Sequence, residues 1–165
     1  MLTKERLREL LFYNPSSGEW LWQAWISLDG RVIHICPAGY VDEQGYIQIE
    51  IDGAAYKAHR LAFLYMLGRW PDPECDHSDL IRCNNSWDNL REATNSQNIA
   101  NSPLRKDNTS GFKGVHFRKE TGKYIARIGV NNKRIRLGDF DCPAAASFAY
   151  QVAADIHFGE FARIR

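Results

Sequence analysis

The stretch from residue 75 to residue 101, CDHSDLIRCNNSWDNLREATNSQNIAN, constrains this chain more than any other part of the sequence. It opens with a carboxylate next to an imidazole, Asp76 and His77, and Asn89 and Asn98 follow further along. A carboxylate beside an imidazole can hold a divalent cation and a proton acceptor close together, and the Asn98 amide offers a second hard oxygen ligand. This combination is typical of metal-assisted phosphodiester hydrolysis.

The same stretch resembles the HNH endonuclease motif, in the variant that ends in Asn and is found in phage and intron-borne homing endonucleases. The residues that carry the resemblance are Asp76-His77, Asn84-Asn85, Asn89-Leu90 and Ser96-Gln97-Asn98. The resemblance implies that His77 is the general base and that Asp76 and Asn98 bind a divalent cation, Mg²⁺ or Mn²⁺. It also implies that Asn89 holds the loop after His77, by hydrogen bonding.

One departure from the motif lies directly after the histidine. Related sequences usually carry a small turn residue such as Gly there, whereas this chain has Ser78, Asp79 and Leu80. We therefore expect the loop to differ in shape. This departure keeps an alternative function open, a non-catalytic DNA-binding regulator whose HNH unit is degenerate.

Charge is divided unevenly along the chain. Residues 1–101 carry 9 Lys+Arg against 14 Asp+Glu, a net charge of −5, and residues 102–165 carry 12 against 6, a net charge of +6. An acidic half joined to a basic half indicates that the C-terminal part binds a polyanion. No apolar run has the length of a membrane span, the start lacks a secretory signal pattern, and no Cys-x-x-Cys pair occurs. We expect an intracellular, cytoplasmic protein with reduced thiols.

The first part of the chain alternates between helical and strand patterns. We predict a helix over 3–12 capped by Thr3, a strand over 19–22, a hairpin that turns at Asp52-Gly53, and a helix over 59–68 that ends at Gly68. Residues 23–37 show no regular pattern. His59 opens the second helix. We interpret it as a hydrogen-bonded structural histidine in preference to a helper near the metal or phosphate.

The motif itself indicates a strand over 74–77, a loop, a strand over 89–93 and a short helix capped by Thr94 or Asn95. The resemblance implies that these elements form the ββα-metal arrangement, in which the helix brings Asn98 to face Asp76.

The basic part of the sequence has the pattern of three strands and a helix, over 112–118, 124–130, 133–138 and 143–158. Val115, Phe117, Ala126 and Ile128 alternate with cationic positions, so one face of the sheet is expected to be apolar and the other cationic. The third strand extends this pattern, with Ile135 and Leu137 on the apolar face. A helical stripe is expected to cover that face: Ala145, Phe148, Ala149, Val152, Ala153 and Ile156.

This basic part resembles the APETALA-type domain of plant ethylene-response factors, which recurs in phage HNH endonucleases. The motifs that carry the resemblance are Gly111 to Val115, Lys123 to Ala126 and Arg136 to Phe140, with the Ala-rich helix. In that family the sheet binds the DNA major groove. By matched position the contacts would be Lys113, His116, Arg118, Arg127, Arg134 and Arg136. Arg136 stands where the plant domains usually carry Trp, so their target sequence does not transfer.

Together these patterns predict an α+β protein. We expect an HNH nuclease domain over 1–101, in which residues 1–57 are an N-terminal extension and residues 58–101 the HNH unit, a polar linker over 102–110, and an APETALA-type domain over 111–165. The predicted function is a metal-dependent, homing-endonuclease-like HNH endonuclease that acts on double-stranded DNA. A monomer that nicks and a homodimer that cuts both strands are both compatible with the sequence.

Overall fold

The computed structural model describes residues 1–23 and 36–163. They form two compact units, Met1–Glu92 and Ala93–Arg165, each a mixture of helices and small sheets. The predicted α+β class is therefore confirmed. Most of the irregular stretch at 23–37 lies outside the described residues. Within the described ranges, no helix combines the length and the apolar character needed to cross a membrane.

Among its described residues, the first unit contains two α-helices and seven short strands. In chain order they are α1 Lys4–Leu10, β1 Leu11–Tyr13, β2 Trp20–Trp22, β3 Tyr40–Val41, β4 Ile47–Ile51, β5 Ala54–Lys57, α2 Ala58–Leu67, β6 Glu74–His77 and β7 Leu90–Ala93. The strands form three sheets, β1-β2, β3-β4-β5 and β6-β7. The predicted strands on either side of the motif loop are thus confirmed.

Helix α1 ends earlier than the predicted residue 12. Its N-cap Thr3 accepts a hydrogen bond from the Arg6 amide, as predicted. At Leu11 the backbone becomes extended, with φ −133° and ψ 144°. Leu11 and Tyr13 are buried while Phe12 between them is 48% exposed, so the apolar spacing here is that of a strand.

The β4-β5 hairpin leads directly into helix α2. Asp52 and Gly53 both have positive φ, 49° and 79°, as the predicted two-residue turn requires. Gly68 ends α2 in the left-handed region at φ 74°, and this predicted cap is also confirmed. The core of the unit gathers the apolar faces of these elements, with Leu7, Leu11, Ile49, Ile51, Leu61 and Phe63 among its buried side chains.

The second unit begins with the short helix of the motif and continues into a sheet covered by a long helix. Its elements are α3 Asn95–Asn101, β8 Val115–Arg118, β9 Lys123–Val130, β10 Lys133–Phe140 and α4 Pro143–Phe158. The antiparallel sheet has the order β10-β9-β8. Helix α3 is capped by Thr94, and the turn residues Asn131 and Asn132 have φ of 48° and 61°. The predicted order of three strands and a helix is confirmed.

The buried face of α4 differs from the predicted stripe. Phe148, Val152 and Ile156 are 67%, 42% and 75% exposed. The buried face instead carries mostly small residues together with two aromatic ones: Ala146, Ser147, Tyr150, Ala153, Ala154 and Phe158. Small side chains let the helix approach the sheet closely. At Gly114, for example, an added Cβ would lie 2.1 Å from Tyr150 Cδ2. The prediction placed the large apolar side chains on the buried face. The close approach of the helix to the sheet buries small side chains there instead.

Strand β10 also departs from simple alternation. Its register with β9 shifts between Arg136 and Gly138, which is a bulge. Ile135 is 39% exposed, so its predicted place on the buried face is wrong. In β8 and β9, Val115, Ala126 and Ile128 are buried as predicted. Phe117 is 44% exposed, so its predicted place on the apolar face is wrong, and Ile125 is buried next to Ala126.

Candidate functional site

Asp76 and His77 lie at the end of β6, and both side chains are almost fully buried. Arg91 on β7 contacts the carboxylate of Asp76, with Nε and Nη2 donating to Oδ2 at 3.0 and 2.9 Å. Only 18% of the Arg91 side chain and 9% of the Asp76 side chain are exposed in this ion pair. The guanidinium therefore balances a buried negative charge. Sequence reasoning missed Arg91, whose only signal was a cation on the strand expected to pair with that of Asp76.

The imidazole of His77 is oriented by a buried amide. Its Nε2 lies 3.1 Å from Oδ1 of Asn85, a residue with no exposed surface. An amide oxygen accepts, so Nε2 is the donor in this bond. Burial lowers the pKa of His77, although its hydrogen bond to Asn85 acts in the opposite direction. The ring is thus a neutral group able to accept a proton. Sequence reasoning used Asn85 only as a turn former.

The N-terminal extension supports the loop that carries Asn85. Tyr13 Oη donates to the Asn85 carbonyl at 2.6 Å, and the Trp87 amide donates to the Pro15 carbonyl at 2.7 Å. Gly18 has φ +76°, and an added Cβ would lie 2.3 Å from the Asn85 carbonyl carbon. The turn between β1 and β2 therefore packs directly on the loop backbone. These contacts give a physical reason for the presence of Tyr13, Pro15 and Gly18 near the start of the chain.

Asn89 ties the loop after His77 together through both ends of its amide. Its Oδ1 accepts from Ser78 Oγ at 2.7 Å and from the Asp79 amide at 3.0 Å. Its Nδ2 donates to Asp79 Oδ1 at 2.9 Å and to the Asn84 carbonyl at 2.8 Å. Leu80 takes φ +67°, a conformation that suits glycine. The loop thus makes a left-handed turn without the small residue that the motif usually supplies.

His59 lies on the first turn of α2, and its ring contacts the ring of His77. Their ring centroids are 4.9 Å apart at an interplanar angle of 79°, and the Tyr46 ring lies 5.2 Å from His59. His59 is 6% exposed, and its buried Nδ1 has no hydrogen-bond partner among the described residues. The interpretation of His59 as a hydrogen-bonded structural residue is therefore wrong. Burial lowers its pKa to about 3.

Asn98 occupies the middle of α3, the motif helix. A capping box formed by Thr94 and Gln97 begins this helix. The side-chain oxygen Oδ1 of Asn98 is buried and has no hydrogen-bond partner among the described residues. In 1–23 and 36–163 no cluster of three or more His, Cys, Asp and Glu side chains could hold a metal. Amide oxygens are among the hard ligands that Mg²⁺ and Mn²⁺ accept.

The predicted DNA-contacting residues fall into two groups. Lys113 and Arg136 are engaged within their own unit. Lys113 Nζ donates to the carbonyls of Ala100 and Ser102 at 2.5 and 2.6 Å, and Arg136 Nε donates to Asp139 at 2.9 Å. Burial lowers the pKa of Lys113 to about 8.

The other arginines of the sheet are not held in ion pairs within the described part of the chain. These are Arg118, Arg127 and Arg134, of which Arg118 interacts with the charge of Asp139 without forming an ion pair. His116 lies near two of them, and its pKa is lowered by burial and then by Arg127 and Arg118. Such a face attracts anions because little of its positive charge is balanced internally.

Comparison with known proteins agrees with the geometry of the first unit. The family model of the HNH endonuclease matches residues 56–100. The chain is similar to "Protein 3.8" of Escherichia phage T7, with 32% identity over 90 residues that cover 54% of this chain and 74% of the relative. It is also similar to "Uncharacterized HNH endonuclease L560" of Acanthamoeba polyphaga mimivirus, with 31% identity over 141 residues that cover 84% and 72%. The chain therefore belongs to the HNH endonuclease family.

Proposed function

We propose that this protein is a metal-dependent DNA endonuclease that hydrolyses phosphodiester bonds. The observation that carries the proposal is the state of His77. Its Nε2 is held by Asn85 and burial lowers its pKa, so β6 carries an oriented, neutral imidazole at the residue that follows Asp76. A general base needs a fixed orientation and the ability to accept a proton near neutral pH.

In the proposed reaction, His77 accepts a proton from a water molecule through Nδ1. The resulting hydroxide attacks phosphorus, and the bond from phosphorus to the 3′-oxygen breaks. Asn89 holds the loop that follows His77 through its bonds to Ser78 and Asp79, and so limits movement of the base. The Asn85 amide holds the ring orientation through Nε2, which in this proposal leaves proton transfer to the other ring nitrogen.

Asp76 and Asn98 are the residues that would hold the cation. The unpaired, buried oxygen of Asn98 supports this role, because such an oxygen otherwise lacks any compensation for its lost hydration. A bound Mg²⁺ or Mn²⁺ would stabilise the negative charge that develops on the departing oxygen. Arg91 neutralises Asp76 when no cation is present. We propose that β6, β7 and α3 together form the ββα-metal unit, which the order of these elements supports.

The C-terminal sheet is proposed to bind double-stranded DNA in the major groove, as an APETALA-type domain. The absence of ion pairs at Arg118, Arg127 and Arg134 within the described residues supports this role. Arginine contacts both phosphates and guanine edges. Lys113, His116 and Arg136 complete the proposed surface. We retain the limits 1–101 and 111–165 for the two domains, with 102–110 as the linker.

A supercoiled-plasmid assay with Mg²⁺, Mn²⁺ or EDTA tests the function. We expect relaxed or linear products with either ion and none with EDTA, and the product form separates nicking by a monomer from double-strand cleavage by a homodimer. DNA binding without cleavage under either ion would instead support the non-catalytic regulator. If about five basic residues meet phosphates, the log-log salt slope of binding should be near −4 to −5.

A further inference from the structure

A cluster of positive charge surrounds Tyr46 in the first unit, although that part of the chain is acidic overall. Lys57 Nζ lies 4.0 Å and the Arg82 guanidinium carbon 5.0 Å from the centroid of the Tyr46 ring. The rings of His59 and His77 lie 5.2 and 6.0 Å from the same centroid. Two cations and two imidazoles therefore share one aromatic platform.

The two cations of this cluster are not held in ion pairs. Neither Lys57 nor Arg82 forms an ion pair within 1–23 and 36–163, and Arg82 is fixed by a 2.6 Å hydrogen bond to the Gln44 carbonyl. The carboxylate of Asp42 accepts from the Tyr46 amide and from Gln48, at 2.9 and 2.8 Å, and acts on Lys57 only as a nearby charge. Asp42 thus offsets part of the positive charge, and no direct contact with an acid blocks either cation.

His59 adds a second and independent sign of a ligand. It is buried to 94%, and its Nδ1 lacks any hydrogen-bond partner among the described residues. A buried polar atom left unpaired costs about 1–3 kcal/mol, so such atoms call for a partner. His59 lies on the first turn of α2, a ten-residue helix whose N-cap Lys57 makes no side-chain capping bond. The positive end of a helix dipole favours an anion at this end.

We propose that Lys57, His59 and Arg82, arranged around Tyr46, bind a phosphate of the DNA backbone beside His77. The proposal rests on the proposed nuclease function, since it supplies the substrate contact of that site. His77 must lie within hydrogen-bond reach of the water that attacks phosphorus. Because the His59 and His77 rings are in contact at 4.9 Å, groups around Tyr46 lie where the reacting phosphate or its neighbour would be. The cationic side chains of Lys57 and Arg82 carry hydrogen-bond donors and no acceptors. They therefore suit a phosphate, which is an anion that accepts, better than a base.

Loss of the two cations tests this site in the full-length chain. The double variant Lys57→Gln/Arg82→Gln should flatten the log-log salt slope of DNA binding by about 1–2. It should also lower kcat/KM for plasmid cleavage by about 30-fold. The matched control Arg6→Gln/Arg69→Gln removes two charges from exposed ion pairs; it should leave the salt slope unchanged and alter kcat/KM by less than about 2-fold. A salt slope and a kcat/KM equal to those of the wild type would overturn the proposal.

Variants of His59 distinguish hydrogen bonding by the ring nitrogens from packing by the ring. His59→Phe retains an aromatic ring against Tyr46 and His77 but cannot bond a phosphate, and we expect kcat/KM to fall by about 10-fold with an unchanged melting temperature. His59→Gln restores a donor and an acceptor and should recover part of that loss. Full activity of His59→Phe would remove His59 from the site.

The salt slope keeps this inference separate from the nuclease proposal. If the wild type binds DNA but does not cut it with Mg²⁺ or Mn²⁺, the nuclease proposal fails. The phosphate site then stands when the double variant flattens the slope, and falls when the slope is unchanged.

Discussion

The loop that follows His77 and the sheet of the second unit use their polar side chains in opposite ways. In the loop, Asn89 alone makes four hydrogen bonds within the protein, and Asn85 is fully buried against His77. In the sheet, Arg127 and Arg134 have no ion pair with any residue that the structure describes. The loop satisfies its polar groups internally and so fixes a geometry, whereas the sheet leaves its charge to an external partner. We infer that the first unit fixes the geometry of the candidate active site, whereas the sheet of the second unit supplies most of the affinity for DNA.

Acid should affect the first unit most strongly, through His59. Its folded pKa of about 3 lies below the ordinary 6.5, so the folded state binds fewer protons between these values. Stability is then complete above pH 6.5 and is lost as pH falls toward 3, by up to about 5 kcal/mol. Besides burial, the groups that set this pKa are His77, Lys57 and Arg60, which lower it, and Asp42, which raises it.

Thermal or urea unfolding between pH 7 and pH 3 measures this loss, with His59→Phe as the control. The variant should lose less stability on acidification than the wild type. Equal pH dependence of the two proteins would show that His59 is not the group responsible.

The next largest change in stability should come from the removal of Arg91. Arg91→Ala leaves the buried carboxylate of Asp76 without its guanidinium, which should destabilise the first unit by about 3 kcal/mol. If Asp76 is a metal ligand, millimolar Mg²⁺ should recover part of that loss. The comparison variant Arg60→Ala breaks a more exposed pair with Glu74 and should cost less than about 1 kcal/mol. Similar melting temperatures for the two variants, with and without Mg²⁺, would contradict this account of Asp76.

A smaller effect is expected at Leu80, where the loop adopts φ +67°. Leu80→Gly and Leu80→Ala both remove the side chain, but only glycine takes this conformation without strain. The Gly variant should therefore be more stable than the Ala variant by about 1 kcal/mol in urea unfolding. An Ala variant as stable as the Gly variant would mean that the turn relaxes.

The smallest effect should distinguish two arginines of β10. Arg134→Gln should lower the salt slope of DNA binding by about 0.9, the value for one phosphate contact. Arg136→Gln should change the slope less, because Asp139 already contacts that guanidinium. Equal slopes for both variants would contradict the idea that unpaired charge sets the affinity of the sheet.

The sequence carried the elements of both regions but not their tertiary partners. Spacing identified Asp76, His77 and Asn89, and strand alternation identified the buried residues Val115, Ala126 and Ile128, because these signals are local. Asn85 and Arg91 were missed as partners of the site, since a turn residue and a strand cation gain their roles only when strands pair. The face of α4 was wrongly predicted for the same kind of reason. Helix α4 packs close to the sheet, as the contact at Gly114 indicates, and this close packing favours small side chains over large ones on its buried face.

Cleavage by a His77→Ala variant tests the central claim most directly. With Mg²⁺ or Mn²⁺, the variant should lose nicking of supercoiled plasmid while its DNA affinity stays at the wild-type level. The exposed His157 on α4 provides a matched control, and His157→Ala should cut like the wild type. Undiminished cleavage by His77→Ala would contradict the assignment of this imidazole as the general base.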